Sequence, residues 1–296
     1  MTKYYVGIDG GGTSCRARIV NAQGDTLGEA KVGSANILLG VDVAMASIMQ
    51  AIDLAAEQAG LSQQDYANFS VGMALAGGEQ KNAWLAFMAQ PHPFAQVQMN
   101  TDAYGACVGA HSGQSGAILI AGTGSCGIYI DPQQQQHIVG GREFPISDQG
   151  GGAVMGLRLI QQVLLAADEI IEKTPLAEHV LSHFDHDIDA IVDWSKTAIP
   201  RDYGQFSPAI FAHAAQGDAL AIAMLKQTAA DVEMWLGALR HRGAQKVALM
   251  GSIGERIVPW LSPFDQACLV EPQADAMAGA ILMAQGSGHN LYSVEG

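Results

Sequence analysis

Residues 4–9 form an apolar run that ends in Gly10-Gly11-Gly12-Thr13-Ser14. Residues 16–20 then alternate polar and apolar side chains, the period of a half-buried strand and not of a helix. A turn over 21–25 leads to an expected strand over 27–32. Residues 41–60 carry helical periodicity, with Val43, Ile48, Ile52 and Ala55 as candidate core positions and a glycine stop. A strand over 69–75 closes on Gly77-Gly78, and a short helix over 80–90 is broken by Pro91 and Pro93. A strand over 97–99 runs into Asn100-Thr101-Asp102, with helix signals from Ala103 onward.

The pattern then restarts. Residues 116–121 read as a strand, Gly122-Thr123-Gly124-Ser125 as a turn and 126–130 as a second strand, with Pro132 and the glutamines 133–136 at a solvated hairpin tip. Gly150-Gly151-Gly152 precedes a helix over 154–171, and further helices are expected over 188–198, 208–216 and 219–242. In the last of these, Met224, Leu225, Met234 and Leu236 read as core and not as a cofactor box. A strand over 247–250 meets the turn Gly251-Ser252-Ile253-Gly254, a helix follows over 255–261, and an apolar helix over 274–284 comes last. Strand, glycine turn, strand thus opens each half. This weak internal duplication puts a domain boundary near residues 110–116 of an α/β chain.

Composition narrows the partners. At 296 residues and 49% hydrophobic, the chain can bury the cores of two domains. Its 29 acidic against 15 basic residues give a formal charge of -14, the wrong sign for nucleic acid. The same balance still admits a single triphosphate held by backbone amides and a divalent cation. Cys15, Cys107, Cys126 and Cys268 show no CxxC spacing and read as thiols without a disulfide framework. The start of the chain lacks signal-peptide character and no apolar stretch is long enough to span a bilayer, so the expected location is the cytoplasm, away from any membrane.

Candidate chemistry sits at the turns. In Asp9-Gly10-Gly11-Gly12-Thr13-Ser14, three glycines are expected to reach positive φ and present successive amides to an anion. Thr13 and Ser14 would add hydroxyls, and Asp9 would hold Mg²⁺ directly or through water. A Walker loop needs Gly-Lys-Ser/Thr opening a helix, and a Rossmann turn also needs a helix next; here a strand follows. Gly122-Thr123-Gly124-Ser125-Cys126-Gly127 matches GxGxxG, and its strand sequel again removes the dinucleotide reading. Asp102, between a strand and a helix, is either an N-cap or a general base for a hydroxyl attacking phosphorus. A helix N-terminus would lower its pKa. The segment 140–150 mixes glycine, charge and proline, which suits either a substrate loop or an ordinary surface connection. The nine histidines lack HxxxH or HExxH spacing, and no Gly-x-Ser-x-Gly elbow exists.

Asp9-Gly-Gly-Gly-Thr, Ser34-Ala35-Asn36, Asp102, Gly122-Thr-Gly-Ser and Gly251-Ser252 fall in one order. That order resembles the sugar-kinase, actin and Hsp70-like ATPase superfamily, and within it the branch of N-acetylglucosamine kinases, glucosamine kinases and BadF/BadG-type ATPases. The resemblance implies two ribonuclease-H-like domains around a nucleotide cleft, over 1–112 and 113–285, with a last helix about 286–296 returning to the first. It implies ATP and Mg²⁺, an amino sugar phosphorylated at its 6-hydroxyl, and a homodimer. Carried over by position, it implies Gly11, Gly12, Thr13, Ser14, Thr123, Gly124, Ala214 and Gly251 around the nucleotide and Asp102 as base. Asn36, Asp102, Gly141, Arg142, Glu143 and Asp148 would meet the sugar. The family's N-acetylglucosamine kinases carry Trp-Gly after the paired glycines, whereas Arg142-Glu143-Phe144 stands here. A carboxylate at Glu143 suits a free ammonium, which favours D-glucosamine over N-acetylglucosamine. Two readings of other classes are a BadF-type ATPase that energises a partner protein and a sugar sensor without catalysis.

Overall fold

The computed structural model describes residues 3–292. The chain divides into two compact units: one takes residues up to Gly116, Pro132–Gln134 and the chain from Glu271 on; the other takes Ala117–Asp131 and Gln135–Val270.

The first unit is built on a five-stranded sheet of order β3-β2-β1-β4-β5. Its strands are β1 (Tyr4–Gly10), β2 (Cys15–Val20), β3 (Thr26–Val32), β4 (Phe69–Leu75) and β5 (Gln96–Thr101). β1 to β3 form an antiparallel meander, while β4 pairs parallel to both β1 and β5. Helix α1 (Val41–Gln58) packs Ile48, Ile52 and Ala55 into a core with Ile8, Ile19, Phe69 and Met73. Val43, expected in that core, is 53% exposed because it lies on the opposite face of α1. Helix α2 (Lys81–Met88) adds Trp84 to the core, and α3 (Asp102–Ala110) follows β5 directly.

The second unit repeats the opening with a sheet of order β8-β7-β6-β9. Here β6 is Gly116–Ala121, β7 Ser125–Ile130, β8 Gln136–Gly140 and β9 Val247–Met250. The turn between β6 and β7 permits only an antiparallel hairpin, and β9 joins β6 in parallel. The helices are α4 (Gly152–Ala167), α5 (Pro175–His183), α6 (Ile188–Ser195), α7 (Pro200–Gly204), α8 (Ser207–Ala215), α9 (Ala219–His241), α10 (Ser252–Ile257) and α11 (Pro263–Gln266). The sequence reading lacks α5, α7 and α11, which are short and begin at Thr174-Pro175, Ile199-Pro200 and Ser262-Pro263 steps that read first as breaks. Met224, Leu225 and Leu236 are buried on α9, but Met234 is 50% exposed on its outer face. Among the described residues no single helix is long and apolar enough to cross a membrane; the segments Pro200–Ala215 and Ala219–His241 pass only as a pair bent by 116°.

The chain then rejoins the first unit through α12 (Ala276–Leu282), extended by a wide helical turn over Met283–Ser287. The return therefore begins at Glu271 and not at the expected 286, and the chain from Gly288 to Tyr292 is not helical; residues 293–296 lie outside the described ones. Glycines let α12 touch its neighbours backbone to backbone. A methyl at Gly72 of β4 would sit 1.9 Å from the Ala280 carbonyl oxygen, and one at Gly7 of β1 2.2 Å from that of Met277. Neither backbone can give way without lifting α12 off the sheet. We expect Gly72→Ala to cost about 3 kcal/mol or more by chemical denaturation, whereas Gly33→Ala, which meets nothing within 4 Å, stays within about 0.5 kcal/mol.

Candidate active site

In the first unit, parallel pairing brings the carboxyl ends of β1, β4 and β5 to one sheet edge, where Gly10 lies opposite Leu75 and Leu75 opposite Thr101. Ligands of open α/β sheets bind at such an edge. Gly10 is there for space, since a methyl would stand 2.5 Å from Leu75 Cδ2. The Gly11 amide donates to Ser14 O at 2.9 Å, and Gly11 O accepts from Ala35 N at 3.2 Å and Ser34 Oγ at 3.1 Å. Gly10, Gly11 and Gly12 all keep φ outside the left-handed region, contrary to the expected positive φ. A four-residue loop between paired Gly10 and Cys15 is wide enough to turn without it. What the glycines give is access. Gly12 and Thr13 are exposed, and a methyl at Gly12 would meet nothing within 4 Å, so an anion can reach the backbone there.

Asp9 lies opposite Arg16 across the hairpin, and the Arg16 Nε donates to Asp9 Oδ2 at 3.0 Å. Part of the carboxylate is thereby occupied. Among the described residues, no three His, Cys, Asp or Glu side chains are grouped to hold a metal by themselves. A magnesium ion would fit beside Asp9 only by taking most of its ligands from phosphate oxygens and water, its usual habit.

Asp102 is the first residue of α3, and Thr101 is the cap: its hydroxyl accepts from Tyr104 N at 3.1 Å. The Asp102 Oδ1 accepts from the Ala103 amide at 2.8 Å. Its pKa is raised, against the expected lowering. Burial is the largest cause, the negative charges of Glu79 and Asp9 add to it, and the Ala103 hydrogen bond only partly offsets them. Glu79 belongs to this acidic group but carries no motif; it stands 23 residues before Asp102 and is brought near by the β4–β5 pairing. Asn36 caps the short helical turn Ile37–Leu39, its Oδ1 accepting from Leu38 N at 2.9 Å. A methyl on Gly77, at φ +86°, would stand 2.8 Å from that Oδ1, so Gly77 holds Asn36 close to the β4 end.

In the second unit, Gly122 N donates to Gly124 O at 2.9 Å, closing the β6–β7 turn, and Thr123 is exposed at its tip. Gly152 N donates to Gly122 O at 2.7 Å and Ala153 N to Thr123 O at 2.9 Å, so the first turn of α4 props the hairpin from behind. Gly251, at φ +91°, would place a methyl 2.5 Å from Ala121 O, which puts the β9 end against the same turn. Asp148 joins them: its Oδ2 lies where a methyl on Gly124 would go, at 2.4 Å. Burial raises the Asp148 pKa, the Ser125 amide lowers it and the Glu143 charge raises it again. Gly140, Gly141, Glu143 and Asp148 all have φ between +64° and +70°. A non-glycine residue held there costs free energy, and two in one loop argue for a functional segment over an ordinary connection. Arg142 and Glu143 are exposed on it.

The structure thus brings together Asp9, Gly11, Gly12, Thr13, Ser14, Asn36 and Asp102 within one unit, and Thr123, Gly124, Gly141, Glu143, Asp148 and Gly251 within the other. Ala214 is different: 8% exposed on α8, it packs in the second core. Gly151 and Gly204, not among the site residues expected from sequence, flank Thr123; a methyl on Gly151 would stand 2.8 Å from Thr123 O. The Gly-Gly-Gly run before α4 was the available signal for the first of them.

The sequence profile of the BadF/BadG/BcrA/BcrD ATPase family matches residues 6–284. The chain belongs to that family. As a family ATPase it uses ATP. It is 66% identical to glucosamine kinase GspK of Vibrio cholerae over 289 residues, 98% of each chain. It is similar at 32% identity and TM-score 0.87 to a solved structure from Chromobacterium violaceum, provisionally described as an N-acetylglucosamine kinase, covering 96% of this chain and 99% of that one. A second solved structure so described, from Porphyromonas gingivalis, shares the fold at 18% identity and TM-score 0.66 over 96% and 99% of the chains. The fold class is therefore the α/β, actin-like ATPase architecture of the sugar kinases.

The raised pKa of Asp102 has a stability consequence. Its contribution is fully present below the unfolded carboxylate pKa, about 4, and is lost as pH rises through the higher folded value. Asp102→Asn keeps the acceptor for Ala103 N and removes the penalty. The variant should melt at a higher temperature than the native chain at neutral pH, and the difference should vanish below about pH 4, by thermal denaturation followed across pH.

Proposed function

We propose that this chain is an ATP-dependent glucosamine kinase that forms glucosamine 6-phosphate and ADP. The observation that carries the reading is its 66% identity to glucosamine kinase GspK over 98% of both chains. Asp102 accepts the proton of the sugar hydroxyl as its oxygen bonds to the γ-phosphorus and the bond to the β–γ bridging oxygen breaks, releasing ADP. Gly11, Gly12, Thr13 and Ser14 in one unit, and Thr123 and Gly124 in the other, offer amides and hydroxyls to the phosphates. Mg²⁺ beside Asp9 would neutralise charge on the transferred phosphoryl group. Gly251 lets the end of β9 close against the β6–β7 turn beside which the nucleotide would sit, and Ala214 would act there only as core packing behind it.

Asn36 and Asp148 meet sugar hydroxyls, with Gly141 and Arg142 completing the loop. The charge of Glu143 acting on Asp148 supports the free amine as substrate. The Glu143 charge adds to the cost of ionising Asp148, and a substrate ammonium relieves it, whereas an acetamide does not. The same reading places the enzyme in the cytoplasm as a homodimer, which light scattering after size-exclusion chromatography checks.

ADP release measured over a panel of hexoses and amino sugars should favour glucosamine; equal turnover on glucose would end the substrate assignment. Asp102→Asn should lower kcat by about a hundredfold to ten-thousandfold with ATP binding kept. Exposed Glu143 is worth up to about 1 kcal/mol to an ammonium, so Glu143→Gln should raise KM for glucosamine by at most about fivefold. Half-buried Asp148 is worth more, and Asp148→Asn should raise it about tenfold or further. The acid limb of kcat/KM should lie above the ordinary carboxylate range, because Asp102 must be ionised to accept a proton. Glu79→Gln removes a charge that raises it, and should move that limb to lower pH.

A further inference from the structure

After α12 the chain turns at Gly286, φ +94°, and Gly288–Tyr292 runs without regular structure along β5. β5 is an edge strand, so its outer amides and carbonyls need partners from elsewhere. The returning chain supplies them near the strand's end. Met99 N donates to Asn290 Oδ1 at 2.8 Å, and Leu291 N donates to Met99 O at 3.2 Å. The side chain of Asn100, fully buried, bridges two elements: its Nδ2 donates to His289 O at 3.1 Å and its Oδ1 accepts from Thr101 N at 2.8 Å. Thr101 in turn caps α3, whose first residue is Asp102. The strap therefore reaches Asp102 through two consecutive side chains, Asn100 and Thr101.

A second arm reaches the same carboxylate from another side. The Tyr292 hydroxyl donates to Glu79 O at 2.7 Å, and the Tyr292 ring packs edge-on to Trp84 with centroids 5.6 Å apart. Trp84 Nε1 donates to Met99 O at 3.2 Å, which closes the circuit between the two arms. Glu79 is one of the two residues whose charge acts on Asp102. A segment needed only to seal the sheet edge would have no reason to hold both the backbone preceding Asp102 and the loop that carries its charged neighbour.

We propose that the strap Gly288–Tyr292 is a positioning device for Asp102, with Asn290 setting the end of β5 and Tyr292 setting the Glu79 loop. This rests on Asp102 being the base of the proposed kinase. Phosphoryl transfer is governed by placement, and a shift of about 1 Å in a positioned group costs about a hundredfold in rate. Loss of the Asn290 acceptor should therefore lower kcat more than it loosens either substrate.

The test uses the full chain with ATP and glucosamine, and each kcat is divided by the folded fraction. Asn290→Ala should lower kcat about tenfold to a hundredfold with both KM values within about threefold of native. Asn290→Asp keeps the acceptor oxygen and should recover most of the loss. Tyr292→Phe keeps the ring on Trp84 and removes only the hydroxyl, so it serves if Asn290→Ala does not fold; it should lower kcat about threefold to tenfold. It should also move the acid limb of kcat/KM to lower pH as Glu79 is released. The other charges that bear on Asp102 are Asp9 on β1, held by Arg16 on β2, and neither is touched by that change. A kcat per folded molecule within twofold of native in both variants overturns the proposal, as does a rise of both KM values that tracks lost thermal stability. Asp102→Asn is run beside them. If it keeps near-native turnover, the base assignment falls; if it is inactive while the strap variants are native-like, only the strap falls.

Discussion

The first unit depends on backbone-to-backbone packing of a helix that arrives from the far end of the chain. Four glycine contacts make it. Gly7 and Gly72 face the Met277 and Ala280 carbonyls, a methyl on Gly109 would stand 2.1 Å from Asp275 O, and one on Gly279 1.9 Å from Gly105 O. Side chains at these positions would push α12 off β1, β4 and α3 and open voids in a core that has no slack. The helix is also pinned at its start. Arg18 of β2 donates to both oxygens of Asp275 at 3.0 and 2.9 Å, and Asp275 caps α12 through Ala278 N at 2.9 Å. Burial opposes the Asp275 charge, but the Ala278 amide and Arg18 outweigh it and hold its pKa below the ordinary carboxylate value. Such a two-oxygen guanidinium pair fixes direction as well as distance. Once α12 is seated, the chain has one course left, along β5 toward Asn100 and Glu79.

The edge where β1, β4 and β5 end concentrates negative charge. Asp9 and Glu79 both add to the cost of ionising Asp102, and Arg16 pairs with Asp9 alone of the three. Burial and then the Asp9 charge push the Cys15 thiol up to about 12, so that cysteine stays a neutral packing group. The field has the sign that attracts a divalent cation and repels a bare phosphate. A phosphate ligand accepted at this edge would therefore need its charge neutralised on arrival. An unliganded edge of this kind is unfavourable to the fold, which is the usual relation between a site and the stability of the protein that holds it.

Much of this was legible in the sequence, and the limits are physical. Alternation at Arg16 to Val20 revealed the strand after the first turn, because period two survives in any half-buried strand. Cys126 to Ile130, in contrast, read as a strand as a short, mainly apolar run bounded by turn signals. That was enough to reject helix-opening phosphate loops. Val43 and Met234 misled because an apolar side chain at roughly helical spacing does not say which face meets the core. In Asn100-Thr101-Asp102 all three residues can cap a helix, and only backbone geometry chose Thr101. The direction of the Asp102 shift could not follow from its helix position alone, since the dipole term is smaller than burial beside two carboxylates. The glycines at 7, 72, 109 and 279 read as weak points in strands and helices, and their use appears only when the facing carbonyl is known.

The two units share strand order at their openings yet use their glycine turns differently. In the first, the loop after β1 is braced on one side by Ser34 and Ala35, and Gly12 and Thr13 stay open. In the second, the turn is braced from behind by the first turn of α4 and closed on by Gly251, with only the tip at Thr123 exposed. The first turn is braced on one side only; the second is braced on two. Duplication therefore does not make the halves equivalent. The half with the more open turn also has the acidic edge, the α12 packing and the strap. The openness of that turn is matched beside it by a firmly held strand end, since Asn290 accepts from Met99 N and the His289 carbonyl accepts from Asn100 Nδ2 just before Asp102.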